Sequence, residues 1–537
     1  MGFSAQAQSD NTLSACCYFS LACKAIATLI AALFLQRLLA KPRSYELFPV
    51  WATIEIALAS YLLRGEGLGR RIFSVARRYG GSLFGFSSRH QILVHLPDVD
   101  RLMARPLHTL TAEPVQYTLF TRVFGGVDSS TLKGRLQNSW KDLLSPIERL
   151  FLNDAAATAA IEGAGVAHQA AYLVTLAPGR DKKRWELSAD VRIISPSLPM
   201  SPGVAEASLQ SLARDFGACT AIPLLYGKDF LDRHPSLLDD FWKFYNDLFP
   251  LLMIGVPSWV PFRAFREGLR ARSRLLEAIE GLYRRIDQHK QGQHVDCDMS
   301  DVHDALFERN KVYEREGWSF EERAAGDLAV FWGQNANTQP VLFWLLTYVY
   351  STQGLVARVR DDIAPYVKLS QTAPPAIMLM DIPGLSNNCQ LLKACIFETY
   401  RMVNEPTSIR HLERTITIND SEFRHELKAG TLISVPHSLT NHDASVYEDP
   451  AKYIPERFLD EGRLARCGRL RPWGVGTSMC KGRTFAEKEI MTLGAAIVSL
   501  WDIGPAGGTW KLPAMIPGTG VRKPIEDIRV TIKPRTV

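Results

Sequence analysis

The chain has 537 residues, of which 46% are apolar and 22% are charged, a balance that suits a large folded core. Its net charge of +6 and the lack of a Lys/Arg-rich run argue against binding to nucleic acid. The nine cysteines form neither C-x-x-C pairs nor a regular disulfide framework, which favours a reducing compartment.

The N-terminal segment is more apolar than the rest of the chain. Leu13–Leu35 contains one charged residue, Lys24, and is long enough to cross about 30 Å of hydrocarbon as a helix. Basic residues follow within 37–43, so the positive-inside rule leaves the remaining chain in the cytosol. We therefore predict a single-pass anchor over residues 1–44, in the endoplasmic reticulum membrane. A cleaved signal peptide is the alternative, because 25–35 resembles a short apolar h-region.

Residues 45–537 have a mainly helical pattern with small β-sheets and lack the strand–helix alternation of a doubly wound fold. The apolar run Val50–Leu63 is short for a span, so it lies in the membrane interface or packs on the domain. Helices are predicted at 67–81, from Pro97 onward, over most of 129–288 with breaks at 177–185 and 248–262, and at 321–352, 387–402 and 481–500. Strands are predicted on both sides of Ser87–Ser88–Arg89 and at 408–418, 430–437 and 525–534.

A lone cysteine, Cys480, separates a glycine-rich turn from a predicted helix in RPWGVGTSMCKGRTFAEKEI. Local zinc binding fails, because the nearest cysteine is Cys467 and no histidine lies between the two. A protease nucleophile would need a distant histidine, and an inert buried thiol is the usual role of a single cysteine. Gly474 and Gly476 permit positive φ, so the loop can fold tightly under a flat ligand, and Gly482 allows close backbone approach. Amides of the next helix then stabilise a thiolate, which suits axial ligation of haem iron.

The segment PWGVGTSMCKGRTFA resembles the cysteine-loop signature of the cytochrome P-450 haem-thiolate monooxygenases. The signature reads aromatic, two residues, Gly, three residues, Cys, one residue, Gly, three residues, Ala. The positions in register are Trp473, Gly476, Cys480, Gly482 and Ala486. Trp473 stands where Phe is commoner, and Ser478 occupies an often basic position, which leaves one haem-propionate contact unassigned. The resemblance covers about 45–537 and implies haem b with Cys480 as the ligand of its iron.

Two further motifs support the resemblance. FETYR supplies Glu398 and Arg401 in the family's E-x-x-R pattern, three residues apart and therefore neighbours on one helix face. YIPERF supplies Arg457 where the family has a third charged partner. Taken alone, the Glu398–Arg401 pair would be an ordinary surface ion pair. The resemblance instead implies a buried network behind the haem.

Contacts to the haem edge are less evident. Arg410, in SIRHLE, matches a family arginine that reaches a haem propionate, and a solvated strand arginine is the alternative. The family's Trp/Arg propionate pair is not obvious, because Trp140 is followed by Leu144 at the position four residues on.

In this family a long helix crosses the distal face of the haem and carries an acid–Thr pair that delivers protons to dioxygen. The matching stretch, GQNANTQP, places Thr338 at the threonine and Asn337 where an acid is usual. An amide cannot relay a proton by ionising, so a relay must run through water and the Thr338 hydroxyl. Pro340 removes an N–H and loosens the helix nearby. The alternative is that both residues are mid-helix polar side chains with local backbone bonds.

FWGQNANTQPVLFWLL, together with FPLLMIGVP, resembles the branch that holds the sterol 7α- and 12α-hydroxylases and prostacyclin synthase. Isomerising members need no protons on dioxygen, so retention of Thr338 favours a monooxygenase over an isomerase or dehydratase that works without reductase. The expected substrate is large and lipophilic: a sterol, a terpenoid or another secondary-metabolite skeleton. A hypothesis of another class is a non-catalytic, membrane-anchored lipid-binding protein with a degenerate haem fold.

The resemblance also suggests where substrate and partner bind. Substrate-facing segments are expected at 117–127, 224–261, 331–338, 405–409 and 516–521, and each could equally be plain core. Little chain follows the haem domain, so electrons are expected from an NADPH-cytochrome reductase. A basic docking face for that reductase, with a solvated surface as the alternative, would comprise Arg466, Arg469, Arg471, Lys481 and Arg483.

Overall fold

The computed structural model describes residues 47–63, 83–87, 89–94, 99–177, 179–195, 203–257, 259–420, 423–461 and 463–536. The predicted anchor at Leu13–Leu35 and the predicted helix at 67–81 lie outside these ranges. Within them, none of the helices combines the length and the apolar character that crossing a membrane requires.

Helices form most of the described chain. In the first half they are α1 Val50–Leu63, α2 Val99–Met103, α3 Glu113–Thr118, α4 Ser130–Ile147, α5 Asp154–Gly163, α6 Val166–Ala170, α7 Arg184–Ser188, α8 Leu209–Ala221, α9 Pro223–Tyr226, α10 Lys228–Arg233, α11 Leu237–Lys243 and α12 Phe249–Met253. In the second half they are α13 Arg263–Lys290, α14 Asp304–Arg315, α15 Phe320–Asn335, α16 Thr338–Ser351, α17 Leu355–Ile363, α18 Ile382–Asn388, α19 Gln390–Val403, α20 Ser438–Asn441 and α21 Arg483–Leu500. Helices α3, α4 and α11 continue into π-helical turns at Leu119–Val123, Glu148–Leu152 and Phe244–Leu248.

The strands are short and form small sheets. They are β1 Leu83–Ser87, β2 His90–Leu93, β3 Leu110–Thr111, β4 Arg192–Ser195, β5 Val204–Ser208, β6 Val367–Leu369, β7 Ile377–Met380, β8 Thr407–Leu412, β9 Ile416–Asp420, β10 Phe423–Leu427, β11 Leu432–Pro436, β12 Trp501–Pro505, β13 Met515–Ile516, β14 Lys523–Pro524 and β15 Arg529–Pro534. The five-stranded sheet has the order β1-β2-β11-β8-β3, with β2 and β11 parallel and its other pairs antiparallel. A four-stranded antiparallel sheet has the order β12-β15-β5-β4, and three hairpins complete the set.

The main apolar core lies among the helices, and its buried residues run from Tyr117 to Ile532. Helices α16 and α21 are buried along most of their length, which explains why apolar residues prevail in their sequences. Both pack against α19, so three core helices meet behind the loop that carries Cys480. The mainly helical fold with small sheets is therefore confirmed for the described residues.

Helix α1 packs on the domain. Its inner face meets the five-stranded sheet, and Glu55 accepts a 2.6 Å bond from His90, which explains a charge in an apolar run. Burial lowers the pKa of His90, and Glu55 opposes that shift. The outer face leaves apolar side chains exposed, with Tyr61 the most exposed at 76%.

Three predictions of helical extent were wrong. The helix predicted over 321–352 is two helices, α15 and α16. The helix predicted over 387–402 begins after Cys389 and ends at Val403, and the residues before Cys389 belong to a separate helix, α18. The mostly helical pattern of 129–288 also concealed β4 and β5. Their short sequences give little β signal, and β5 pairs with β15, more than 300 residues later, through contacts such as Ala207 with Val530.

Candidate active site

The loop before Cys480 is shaped by two glycines with left-handed backbone. Gly474 has φ +71° and Gly476 has φ +75°. A Cβ at Gly476 would lie 2.0 Å from the carbonyl oxygen of Met103, so this position admits only glycine without movement of the backbone. The amide of Cys480 donates to the carbonyl of Trp473 over 3.0 Å, which closes the loop. The tight turn expected from the sequence is present.

The thiol of Cys480 lies beside the start of α21. The amides of Gly482 and Arg483 donate to its sulfur, and both bonds, with the Arg483 charge, favour a thiolate. Burial among protein atoms is the larger effect, and it raises the pKa of the thiol above its ordinary value. The side chain is nevertheless exposed. These properties describe a thiol set into the protein that a ligand can still reach.

Gly482 lies directly before α21 and its amide donates to the Cys480 sulfur. It caps α21 with φ −78°, and a Cβ there would meet the Cys480 sulfur at an ordinary 3.8 Å. Among the described protein atoms, none lies closer than this to the Cβ position. The expectation that Gly482 allows close approach of the haem stays a prediction.

The E-x-x-R pair is fully buried. Arg401 Nε donates to Glu398 Oε2 over 2.7 Å, and both side chains have 0% exposure. The remaining Arg401 donors go to backbone carbonyls of Asn441, Pro450 and Lys452 at 2.8–3.0 Å. Every polar group of Arg401 is thus satisfied without water, as a buried charge requires.

Arg457 completes this network, as the motifs imply. Its Nε lies 3.2 Å from Glu398 Oε1, and the same oxygen accepts the amide of Ile454 over 2.8 Å. The ring of Trp473 meets Tyr400 of α19 edge-on, with centroids 5.0 Å apart. The network and this aromatic contact together join α19 to the start of the cysteine loop.

Arg410 lies on β8 and is only 4% exposed. Its Nη1 and Nη2 donate to the carbonyls of Ile409 and Val475 at 2.8 and 3.3 Å, while Nε has no partner in the described part of the chain. No carboxylate of the described residues bonds to it, and burial lowers its pKa. A buried cation in this state is costly unless an anionic ligand meets it. The solvated-strand alternative is wrong.

The helix predicted to cross the distal face of the haem breaks at Asn337 and Thr338. The last regular bond of α15 runs from the amide of Ala336 to Trp332, and α16 resumes with the amide of Val341 donating to Asn337. Pro340 causes this break, because it has no N–H and its ring conflicts with the carbonyl four residues earlier. The mid-helix alternative for these two residues is therefore wrong.

Side chains around the break point in different directions. Asn337 Oδ1 packs against Gly520 so closely that a Cβ at Gly520 would overlap it, and this oxygen has no hydrogen-bond partner among the described residues. Thr338 is buried at the first turn of α16. Gln339 Nε2 donates over 3.0 Å to Glu489 of α21. Burial raises the pKa of Glu489 to about 8, a small opposing effect coming from Gln339.

Sequence reasoning missed Glu489 and Gln339. Glu489 follows two other charged residues, and Glu487 and Lys488 pair with Lys393 and Asp154. Only the packing of α21 shows which of the three consecutive charges turns inward. A charged run at the start of an otherwise apolar helix was the available signal.

The segments expected to face substrate contain both core residues and exposed residues. Phe331 belongs to an interior aromatic cluster, with its ring centroid 5.2 Å from that of Phe241, so the first residue of 331–338 is core. Gly333 is exposed, with open space where a Cβ would stand. In the segment 224–261, Trp259 is 68% exposed.

The predicted basic docking face is largely neutralised. Arg471 pairs with Asp100 at 2.6 Å, Arg466 lies 3.5 Å from Asp460, and Lys481 lies 3.4 Å from Glu148. Arg483 donates to the Cys480 carbonyl. Of the five basic residues, Arg469 and Arg483 are exposed without an ion pair to a described residue.

The mainly helical fold and the glycine-shaped loop that presents Cys480 before a core helix define a haem-thiolate protein. No group of three His, Cys, Asp or Glu among the described residues could hold a metal, which leaves the zinc alternative without support. Residues 224–531 match the sequence profile of the family described as Cytochrome P450, and the chain belongs to that family. Members of the family bind haem b through a cysteine thiolate.

Curated relatives agree with the profile. The chain is similar to a cytochrome P450 monooxygenase, poxD, of Penicillium oxalicum, 28% identical over 299 residues that cover 54% of this chain and 57% of the relative. It is similar to cytochrome P450 7A1 of Sus scrofa, 26% identical over 333 residues, with 58% and 62% covered. It is also similar to 25-hydroxycholesterol 7-alpha-hydroxylase of Rattus norvegicus, 23% identical over 312 residues, with 54% and 71% covered. The chain thus spans little more than half the length of the first relatives it matches.

Proposed function

We propose that the chain is a haem-thiolate monooxygenase that oxidises a large lipophilic substrate with dioxygen and electrons from an NADPH-dependent reductase. The observation that carries the proposal is the Cys480 thiol, reachable by a ligand and bonded by the amides of Gly482 and Arg483. When bound, haem supplies an iron that activates dioxygen for insertion of one oxygen atom into an unactivated C–H bond.

The residues present fit this cofactor. Cys480 would hold the iron, on a loop whose course Gly476 and Trp473 fix. Arg410 would meet a haem propionate, because its buried guanidinium has an unused Nε and no carboxylate partner among the described residues. The position four residues after Trp140 is Leu144, so the second propionate contact of the family has no equivalent there.

The charged network on α19 has a supporting role. Glu398, Arg401 and Arg457 would hold the segment at 441–458 against α19, and the Trp473–Tyr400 contact extends that support to the cysteine loop. None of the three would contact the substrate. Their role is to keep the cysteine loop in one position through cycles of reduction and oxidation.

On the distal side, Thr338 would guide proton delivery to dioxygen. Asn337 cannot ionise, and its amide oxygen is turned onto Gly520, so it would position water rather than supply protons. The same departure favours a second candidate, an isomerase or dehydratase that needs no reductase. Turnover that depends on NADPH and reductase would exclude that candidate.

The substrate we propose is a sterol, a terpenoid or a similar skeleton. Relatives include a 25-hydroxycholesterol 7-alpha-hydroxylase and a cholesterol 7-alpha-monooxygenase. The exposed Trp259, and Phe262 directly after the segment, are consistent with an apolar substrate entrance at 224–261. An anchor at Leu13–Leu35 would hold the catalytic domain, 45–537, on the cytosolic face of the endoplasmic reticulum. Arg469 is then the first residue to test for reductase docking.

The test is the difference spectrum of the reduced protein with carbon monoxide. We expect the band of a thiolate-ligated haem in the wild type and its loss in Cys480→Ala. Cys467→Ala is the matched control, because Cys467 is a partly buried thiol on the same segment and should leave the band unchanged. A folded wild type that takes up no haem would contradict the proposal and favour the lipid-binding alternative.

A further inference from the structure

A cavity of about 300 Å³ lies between β2, the end of β11 and the segment that leads into the cysteine loop, and we call it the β11 cavity. Pockets that enclose small ligands begin at about this size. Neither Cys480 nor Arg410 lines the cavity, so it is separate from the proposed haem site. An inference about its ligand therefore goes beyond the proposed function.

Most of the lining of the β11 cavity is apolar. The apolar side chains come from β2, α2, β11 and the segment after α20, and they are Leu93, Val94, Val99, Val435, Pro436 and Val446. Leu93 and Val435 are buried and belong to the apolar cluster that also contains Val475 of the cysteine loop. This lining favours a ligand with a hydrocarbon part, because water finds few hydrogen-bond partners on such a surface.

The rest of the lining is polar and carries positive charge, and it consists of His437, Thr440, Arg469 and Arg471. Arg471 is already paired, because its Nη2 donates to Asp100 over 2.6 Å and its Nη1 donates to the carbonyls of Gly468 and Leu470. Arg469 is exposed and has no ion pair to a described residue. The charge of Arg469 is thus available to a ligand of the cavity.

His437 adds a buried ring that is only partly paired. It is 5% exposed, and its Nε2 lies 3.0 Å from Ser408 Oγ, while Nδ1 has no hydrogen-bond partner among the described residues. Burial, and then the charge of Arg471, lower the pKa of His437 to about 4, so the ring is neutral in neutral solution. A neutral ring whose Nε2 accepts from Ser408 carries its hydrogen on Nδ1 and can donate it to an anion.

We propose that the β11 cavity binds a small amphiphilic monocarboxylate, with the carboxylate at Arg469 and the His437 ring and the hydrocarbon tail against the apolar lining. A dianion such as phosphate fits less well, because one unpaired arginine balances one charge and the apolar lining offers phosphate no hydrogen bonds. A neutral alcohol of the same length would gain the apolar contacts but no attraction from Arg469.

The lining of the β11 cavity also contacts the cysteine loop. The amide of Gly474 donates to the carbonyl of Arg471 over 3.2 Å. Ser408, the partner of His437, lies 3.2 Å from the position of a Cβ at Gly474. A bound carboxylate would therefore contact residues that hold the cysteine loop, and it should stabilise the folded chain, because a ligand specific for the folded state shifts the unfolding equilibrium.

The test is isothermal titration calorimetry of hexanoate and of hexan-1-ol with the haem-loaded full chain in detergent. A bulky azole is bound to the iron beforehand, so that the distal side is occupied and cannot take up the probe. The carbon monoxide band is recorded separately and reports on the proposed function alone, since binding in the β11 cavity does not require it. Melting temperatures are measured with and without hexanoate.

Three variants accompany the wild type. Val446→Phe fills the β11 cavity with a larger apolar side chain, and Arg469→Gln removes the unpaired charge but keeps a polar side chain. Arg463→Gln is the matched control, because Arg463 is an exposed arginine of the same segment that does not line the cavity.

We expect one hexanoate to bind per chain in the wild type and in Arg463→Gln, with weaker binding of hexan-1-ol. Arg469→Gln should weaken hexanoate binding about threefold to fivefold, as expected for an exposed ion pair, and leave hexan-1-ol unaffected. Val446→Phe should abolish the binding of both probes. Hexanoate should raise the melting temperature of the wild type and not that of Val446→Phe.

Absence of hexanoate binding to the wild type, equal affinity for hexanoate and hexan-1-ol, or binding that persists in Val446→Phe would each overturn the inference. So would binding heat without a rise in melting temperature, because it indicates association with detergent or with unfolded chain. If Val446→Phe fails to fold, the comparison of Arg469→Gln with Arg463→Gln decides, since both replace exposed side chains.

Discussion

Replacement of glycine in the cysteine loop should separate two losses of stability that usually occur together, one from left-handed backbone and one from steric overlap. Gly474 and Gly476 both have left-handed backbone, at φ +71° and +75°. Alanine at either position would lower the stability of the fold by about 1–2 kcal/mol because of that conformation. Only at Gly476 does the new methyl group also meet a backbone atom, the carbonyl oxygen of Met103, at 2.0 Å.

The expected loss of stability follows from these contacts. At Gly474 the nearest atom is the Ser408 hydroxyl oxygen at 3.2 Å, which can move, so Gly474→Ala should cost about 1–2 kcal/mol. Gly476→Ala must in addition push the loop away from α2, and overpacking of this kind costs about 1–3 kcal/mol more. Gly482→Ala has ordinary φ and a 3.8 Å contact, so it should leave the fold unchanged.

Thermal unfolding of the haem-loaded variants and the carbon monoxide band together test this series. From most to least stable, we expect the order Gly482→Ala, Gly474→Ala, Gly476→Ala. In Gly476→Ala we also expect displacement of Cys480 and loss of the thiolate band. If Gly476→Ala were as stable as Gly474→Ala and kept its band, the close approach to Met103 would not determine the loop, and the reasoning would be refuted.

Three further predictions follow from the charged groups. Glu398→Gln should destabilise the fold by about 3–5 kcal/mol, because it leaves Arg401 buried without its partner; Arg457→Lys should cost less, and chemical denaturation compares the two. Arg410→Met should speed transfer of haem to an apoprotein acceptor without lowering the stability of the haem-free chain, since an unpaired buried cation is itself a cost; unchanged transfer would remove Arg410 from the propionate. Glu489 has a folded pKa of about 8, above the ordinary 4.5 of a glutamate, so its contribution is present below pH 4.5 and is lost as the pH rises to 8. Melting temperatures between pH 5 and 8 should therefore fall more steeply in the wild type than in Glu489→Gln, and parallel curves would contradict the raised pKa.

The parts of the site that could be predicted from the sequence are those encoded locally. The turn before Cys480 depends on glycines within a few residues, and the pairing of Glu398 with Arg401 depends on helical spacing. Arg457 reaches Glu398 across 59 residues of sequence, and only the resemblance to a family brought the two together beforehand. The pairing of Gln339 with Glu489 spans 150 residues and belongs to no pattern. It follows from how α16 and α21 pack, which local composition does not determine.

The two sides of the cofactor site are built on opposite principles. On the cysteine side, each donor of Arg401 bonds to an acceptor of the chain, and Gly476 fixes the loop against α2. On the distal side, the broken helix leaves several buried oxygens without partners in the described chain. A rigid ligand loop keeps the environment of the iron constant, whereas unpaired acceptors can bind and exchange water. Substitutions on the cysteine side should therefore change stability and haem retention together, and substitutions along the break should change proton delivery while the fold persists.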